Sequence, residues 1–217
     1  IVNVPQAGNL GACIEAAGKD LTKVRNLKIT GEINARDFDL MRDQMTYLSA
    51  LNLKEVKIQG IDHHNEDAIP ESALKDKTSL ISIVFPDVLK RIEIEAFSGC
   101  NNLSGSLIIP EGVEHIGWCA FNECRNMNGT LSLPTTLKSL GGEREDDARG
   151  VFYGCGFVSE LKLPDKLEFI GGSTFNDCTG LYGELRLPEG LKYLGGYAFG
   201  GCRNLSGSLQ IPQGVTN

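Results

Sequence analysis

Ala96-Phe97-Ser98-Gly99-Cys100, Ala120-Phe121-Asn122-Glu123-Cys124 and Ala198-Phe199-Gly200-Gly201-Cys202 repeat one pattern, with looser copies from Val151-Phe152 to Cys155 and from Thr174-Phe175 to Cys178. The phenylalanines recur at a near-fixed interval: 24 residues from Phe97 to Phe121, 23 from Phe152 to Phe175 and 24 from Phe175 to Phe199. A period of this length marks a solenoid, in which each coil buries its apolar face only against the next copy. The function class that follows is binding along an extended surface rather than chemistry at a point.

The leucines carry the same register further back. Alternating apolar triplets stand at Leu27-Lys28-Ile29, Leu51-Asn52-Leu53, Ile83-Val84-Phe85, Leu107-Ile108-Ile109, Leu131-Ser132-Leu133, Leu161-Lys162-Leu163, Leu185-Arg186-Leu187 and Leu209-Gln210-Ile211. Each reads as a short strand with its outer residues in the core and its middle residue in solvent. Together they imply about eight coils of 23–24 residues, their strands paired in parallel into one long sheet. Pro86, Pro110, Pro134, Pro164, Pro188 and Pro212 follow the strands directly, and a residue without an N–H stops the ladder there. A second apolar pair comes next, such as Val113 with Ile116 or Leu191 with Leu194. Then come Gly117, Gly141, Gly171 and Gly195, expected at positive φ or at close coil-to-coil approach. The phenylalanine after them becomes a core spine from Phe97 to Phe199, with Leu74 as its first member. Cys100, Cys124, Cys155, Cys178 and Cys202, each three residues past the aromatic, become a column of buried thiols. Metal sites would need C-x-x-C pairs or mixed histidine partners, and this spacing supplies neither.

Residues 1–60 follow another pattern. Leu10, Ile14, Ala17 and Leu21 have helical spacing, as do Phe38, Met41, Met45 and Leu48. The expectation is an α/β solenoid in which 1–60 is a helical N-terminal cap with the first irregular coils and 61–217 is the regular array, one continuous domain.

In composition, 41% hydrophobic and 23% charged residues suit an ordered globular chain. A net charge of −7 with scattered Lys and Arg argues against nucleic acid, because phosphate binding needs a basic stripe. No run of apolar residues is long enough for a transmembrane helix. The chain opens at Ile1 with neither an initiator Met nor a leader, as a mature or trimmed form would, and this is compatible with a lipid anchor upstream. It is read as a monomer.

With the Ala-Phe-x-x-Cys column, the Leu-x-Leu-Pro strand and the Ile/Leu-Gly turn in view, the sequence resembles the BspA-like leucine-rich-repeat family, known also from Treponema-type repeats. The likeness is strong over residues 69–217, and the first segment looks like the helical caps of Bacteroides-type surface members. The departures are Leu74 for Phe, Lys77 for Cys and an acidic insertion. The resemblance implies a leucine-rich-repeat right-handed superhelix. It also implies an exported protein at the cell surface or outer membrane that serves as a binding or adhesion scaffold, some members taking host matrix proteins, with no catalytic residue and no cofactor.

Two surfaces are candidates for the partner. The solvent-facing strand positions run Val84, Ile108, Ser132, Lys162, Arg186, Gln210, and Glu160, Lys162, Glu184 and Arg186 are placed to pair across neighbouring coils. Phe169 and Tyr193 occupy equivalent places one coil apart with Tyr197 close by, an outward aromatic cluster of the kind that protein or sugar ligands use. Asp62-His63-His64-Asn65-Glu66-Asp67 and Glu143-Arg144-Glu145-Asp146-Asp147 are insertions that lack metalloprotease and calcium-loop spacing, and both read as polar loops. No nucleophile elbow or phosphate loop is present. The expected function is thus a non-enzymatic surface scaffold for a protein partner, the alternatives being a glycan-binding surface protein or a structural spacer.

Overall fold

The computed structural model describes residues 1–142 and 149–216, so the acidic insertion Glu143–Asp147 lies outside the described residues. The chain is a parallel β-solenoid of about eight turns. A single hydrophobic core runs from Val4 to Cys202.

It begins with a strand absent from the sequence reading, Val2–Val4, followed by a helix Leu10–Ala16, a strand Asn26–Ile33, a helix Ala35–Asp43 and a strand Ala50–Ile58. The three strands and Ser82–Val84 form one parallel sheet in chain order. Both helices are shorter than expected, but their inward residues are the anticipated ones: Leu10, Ile14, Phe38 and Met41 are fully buried, as are Met45 and Leu48 just beyond. Asp37 explains how the helices lock together. It closes a capping box by accepting the Asn34 N–H at 3.0 Å, and its carboxylate also takes the N–H groups of Gly8 (2.7 Å) and Leu10 (2.9 Å). A buried carboxylate with three donors is satisfied, and it ties the first helix to the start of the second.

In the later coils the aromatic spine is present as expected. Phe97, Phe121, Phe152, Phe175 and Phe199 stack in order with ring centroids 5.1, 5.7, 5.5 and 5.4 Å apart. Leu74 continues the line, fully buried, while the Phe85 ring meets Phe97 edge-on. The backbone locks the same column: Phe97 N–H donates to Ala120 O, Phe121 to Val151 O, Phe152 to Thr174 O and Phe175 to Ala198 O. The turns that present Phe97, Phe121, Phe175 and Phe199 use left-handed residues two before the ring, Glu95, Cys119, Ser173 and Tyr197, which gives the off-column Cys119 its place.

The long sheet is not where the leucines put it. Six strands pair in unbroken succession at the second apolar pair, Ala68–Ile69, Arg91–Ile92, His115–Ile116, Ser139–Leu140, Phe169–Ile170 and Tyr193–Leu194. The Leu-x-Leu column is broken instead. Leu107–Ile108 pairs with Leu131–Ser132 only, and Tyr182–Glu184 pairs with Asn204–Ser206. The cause is loop length. From the thiol column to the strand the chain takes seven residues at Cys100–Leu107 and Cys124–Leu131 but six at Lys77–Ile83 and Cys155–Leu161. Equal approaches keep Leu107 opposite Leu131, whereas a change of approach leaves Ile83 unpaired with Leu107, and the ladder opens. Proline after each triplet from Ile83-Val84-Phe85 onward removes the donor that could repair it.

The turn glycines divide as expected between two reasons. Gly141 has φ +84°, while a Cβ on Gly117 or Gly195 would run into the backbone of the preceding coil.

Candidate binding surfaces

The thiol column is scaffold. Sγ of Cys124 donates to Phe97 O (3.2 Å), Cys155 to Phe121 O (3.1 Å), Cys178 to Phe152 O (3.0 Å), Cys202 to Phe175 O (3.0 Å) and Cys100 to Leu74 O (2.9 Å). Burial pushes the Cys100 thiol up to about 12 and Cys202 up to about 11, so neither is a nucleophile at neutral pH. Lys77 stands in the same column for a geometric reason. The coil before it ends in a helix rather than a phenylalanine turn, and its ammonium reaches Arg42 O (2.9 Å) and Met45 O (2.7 Å), carbonyls that a thiol is too short to cap.

The Leu-x-Leu face has two halves. In the first, Val84 and Ile108 are 43% and 66% exposed. Where the strands part, a cleft of about 400 Å³ opens between Ser82–Phe85 and Ser106–Ile108, with Leu103 and Met127 in its wall. A second cleft of about 420 Å³ opens at the other break, between Leu131 and Glu160. In the second half Lys162 and Arg186 are exposed and ion-paired. Their partners correct the sequence reading: Lys162 meets Glu160 (3.0 Å) and Arg186 meets Glu184 (2.6 Å), each within its own coil rather than across coils. With the ladder broken on this side, two residues along one strand are the nearer neighbours on a common face.

Two pairs that do cross coils lie by the continuous sheet, where Glu114 meets Lys138 (2.7 Å) and Glu168 meets Lys192 (2.6 Å). Its outward ladder reads Arg91, His115, Ser139, Phe169, Tyr193. His115 Nδ1 and Ser139 Oγ are hydrogen-bonded at 2.7 Å, and burial, aided by Arg91, holds the imidazole below its ordinary pKa. Phe169 and Tyr193 are brought together, rings parallel to within 4° and 4.4 Å apart, each half-buried by the other. Tyr197 does not join them: it sits on a left-handed turn and is 78% exposed. In the insertion at Asp62–Asp67, Ile61 and His64 form a bridge, and no group of metal-capable side chains occurs among the described residues. No helix among them is long and apolar enough to cross a membrane.

The profile of the BspA type leucine rich repeat region matches residues 67–143 and 148–217 in six copies. No match occurs among curated proteins. Among solved structures, the chain is similar to a leucine rich repeat protein of T. pallidum at 29% identity and a TM-score of 0.56, over 70% of this chain and 67% of that one. It is also similar to a leucine rich cell surface protein of Faecalibacterium prausnitzii, at 19% identity and a TM-score of 0.55, over 95% of this chain and 57% of that one. A leucine-rich repeat protein from Bacteroides ovatus aligns at 26% identity and a TM-score of 0.49 over 78% of this chain. The chain spans 44% of the Bacteroides protein.

Proposed function

Because the chain belongs to the BspA type leucine-rich-repeat family, we propose that it is a non-enzymatic scaffold, exported to the cell surface, that holds a protein partner on its Leu-x-Leu face. The observation that carries this reading is that the exposed aliphatic side chains Val84 and Ile108 line the cleft at the first strand break, with Leu103 and Met127 in its wall. Contiguous apolar surface of this kind is costly to leave in water and is the usual core of a protein contact, with charged residues at the rim. Lys162 and Arg186, already neutralised by Glu160 and Glu184, supply such a rim. Export, a habit of the family, supports the surface placement.

The test is binding of the purified chain to an array of extracellular matrix proteins, followed by Val84→Glu with Ile108→Glu. Loss of the wild-type partner in a double variant with an unchanged melting profile supports the reading. Retention of the partner by that variant rejects this face. Surface proteolysis of intact cells tests location.

A second reading rests on the parallel Phe169–Tyr193 pair on the six-stranded sheet, a platform of the kind that sugars stack on. Phe169→Ala with Tyr193→Ala should then abolish retention on polysaccharide columns, and unchanged retention removes this reading.

A further inference from the structure

The edge of the solenoid formed by the Ala-Phe-x-x-Cys turns carries a polar cleft of about 490 Å³, separate from both faces above. Asn122 forms part of its wall and is only 3% exposed. Its Nδ2 donates to Ser98 Oγ at 3.3 Å, whereas its Oδ1 is buried without a hydrogen-bond partner. A buried acceptor without a donor is unfavourable until something donates to it. The charges on the walls balance. Lys75 pairs with Glu95 at 2.8 Å and Arg125 pairs with Glu123, which leaves Asp76 and Arg149 as one further carboxylate and one further guanidinium on the lining.

A balanced cleft of planar carboxylate, amide and guanidinium groups has no net pull on an ion, and no ring or aliphatic side chain lines it for an apolar ligand. It offers acceptors and donors side by side, the pattern that a hydroxyl satisfies by donating to one group and accepting from its neighbour. We propose that this cleft binds a neutral polyhydroxylated ligand, a saccharide unit, with one hydroxyl donating to Asn122 Oδ1 and others bridging Asp76 and Arg149. The opposed cations exclude the alternative of a calcium site, which would gather carboxylates without them.

The test is NMR titration of the ¹⁵N-labelled protein with a panel of neutral hexoses and N-acetylhexosamines. The expected result is saturable shifts at the amides of Gly99 and Asn122 with Kd on the order of 1 mM for at least one sugar. Asp76→Ala and Arg149→Ala, both away from the core, should each weaken that affinity about tenfold or more. Phe169→Ala should leave it unchanged, which separates this cleft from the ring platform. The proposal is overturned if no sugar shifts these amides at about 20 mM. It is likewise overturned if affinity is lost with Phe169→Ala but kept with Asp76→Ala, or if calcium chloride alone produces the same shifts.

Discussion

The Cys124 thiol donates to the carbonyl oxygen of Phe97, one coil back, at 3.2 Å, while the Phe97 N–H donates forward to Ala120. Phe97, Phe121, Phe152 and Phe175 are thus each held by the coil ahead through both backbone groups, and the thiol is the short donor that reaches across to the carbonyl. Cys124→Ala should cost about 0.5–1.5 kcal/mol by urea denaturation, because it removes the cross-coil donor and leaves that carbonyl with the Cys100 N–H (3.1 Å) alone. Cys124→Ser, which keeps a donor, should cost less.

The same burial sets a pH dependence. Cys100 and Cys202 have folded-state pKa values raised to about 12 and about 11, from an ordinary value near 9.0 in the unfolded chain. Their contribution is fully present below the unfolded value and is lost as pH rises through the folded ones. Urea midpoints should therefore fall steadily between pH 9 and 11, and by less in Cys100→Ala. In native protein at neutral pH, the half-buried Cys13 should be the thiol that an alkylating reagent reaches first.

Removing a ring from the stack tests the spine directly. Phe121→Ala or Phe175→Ala should cost about 3–5 kcal/mol through cavity formation, since both rings are fully buried between two others. A loss below about 1 kcal/mol would show that the rings do not carry the core.

Lys77→Met should cost about 1–3 kcal/mol by taking the ammonium away from the carbonyls of Arg42 and Met45, the second of which keeps the Leu48 N–H (3.0 Å). Lys77→Cys, which restores the repeat's own residue, should be no better, because a thiol cannot span to a helix end. Recovery of wild-type stability by the cysteine would refute this account.

Two neighbouring glycines give a controlled comparison. Gly195→Ala places a methyl into the Gly171–Gly172 backbone and should destabilise by about 1–3 kcal/mol, while Gly196→Ala meets open space and should be nearly neutral. Thermal melts of the two variants read the difference.

Side-chain periodicity was enough to identify the repeat, the stacked phenylalanines, the buried thiols and the helical start, because each is a local pattern copied at one register. It also placed Val84, Ile108, Lys162 and Arg186 in solvent and Phe169 beside Tyr193. Three things needed the third dimension. The continuous sheet lies at Arg91–Ile92 and its equivalents, because a one-residue change in approach length breaks pairing at the leucines, and apolar alternation looks the same in a paired and an unpaired strand. The charges Lys162 and Arg186 chose partners within their own coils because that break moves the neighbouring coil's carboxylates out of position. Asp37 and Asn122 look like ordinary polar residues in the chain. Only packing, which surrounds one carboxylate with three N–H donors and buries one amide oxygen beside a cleft without any, separates them from the rest of the polar surface.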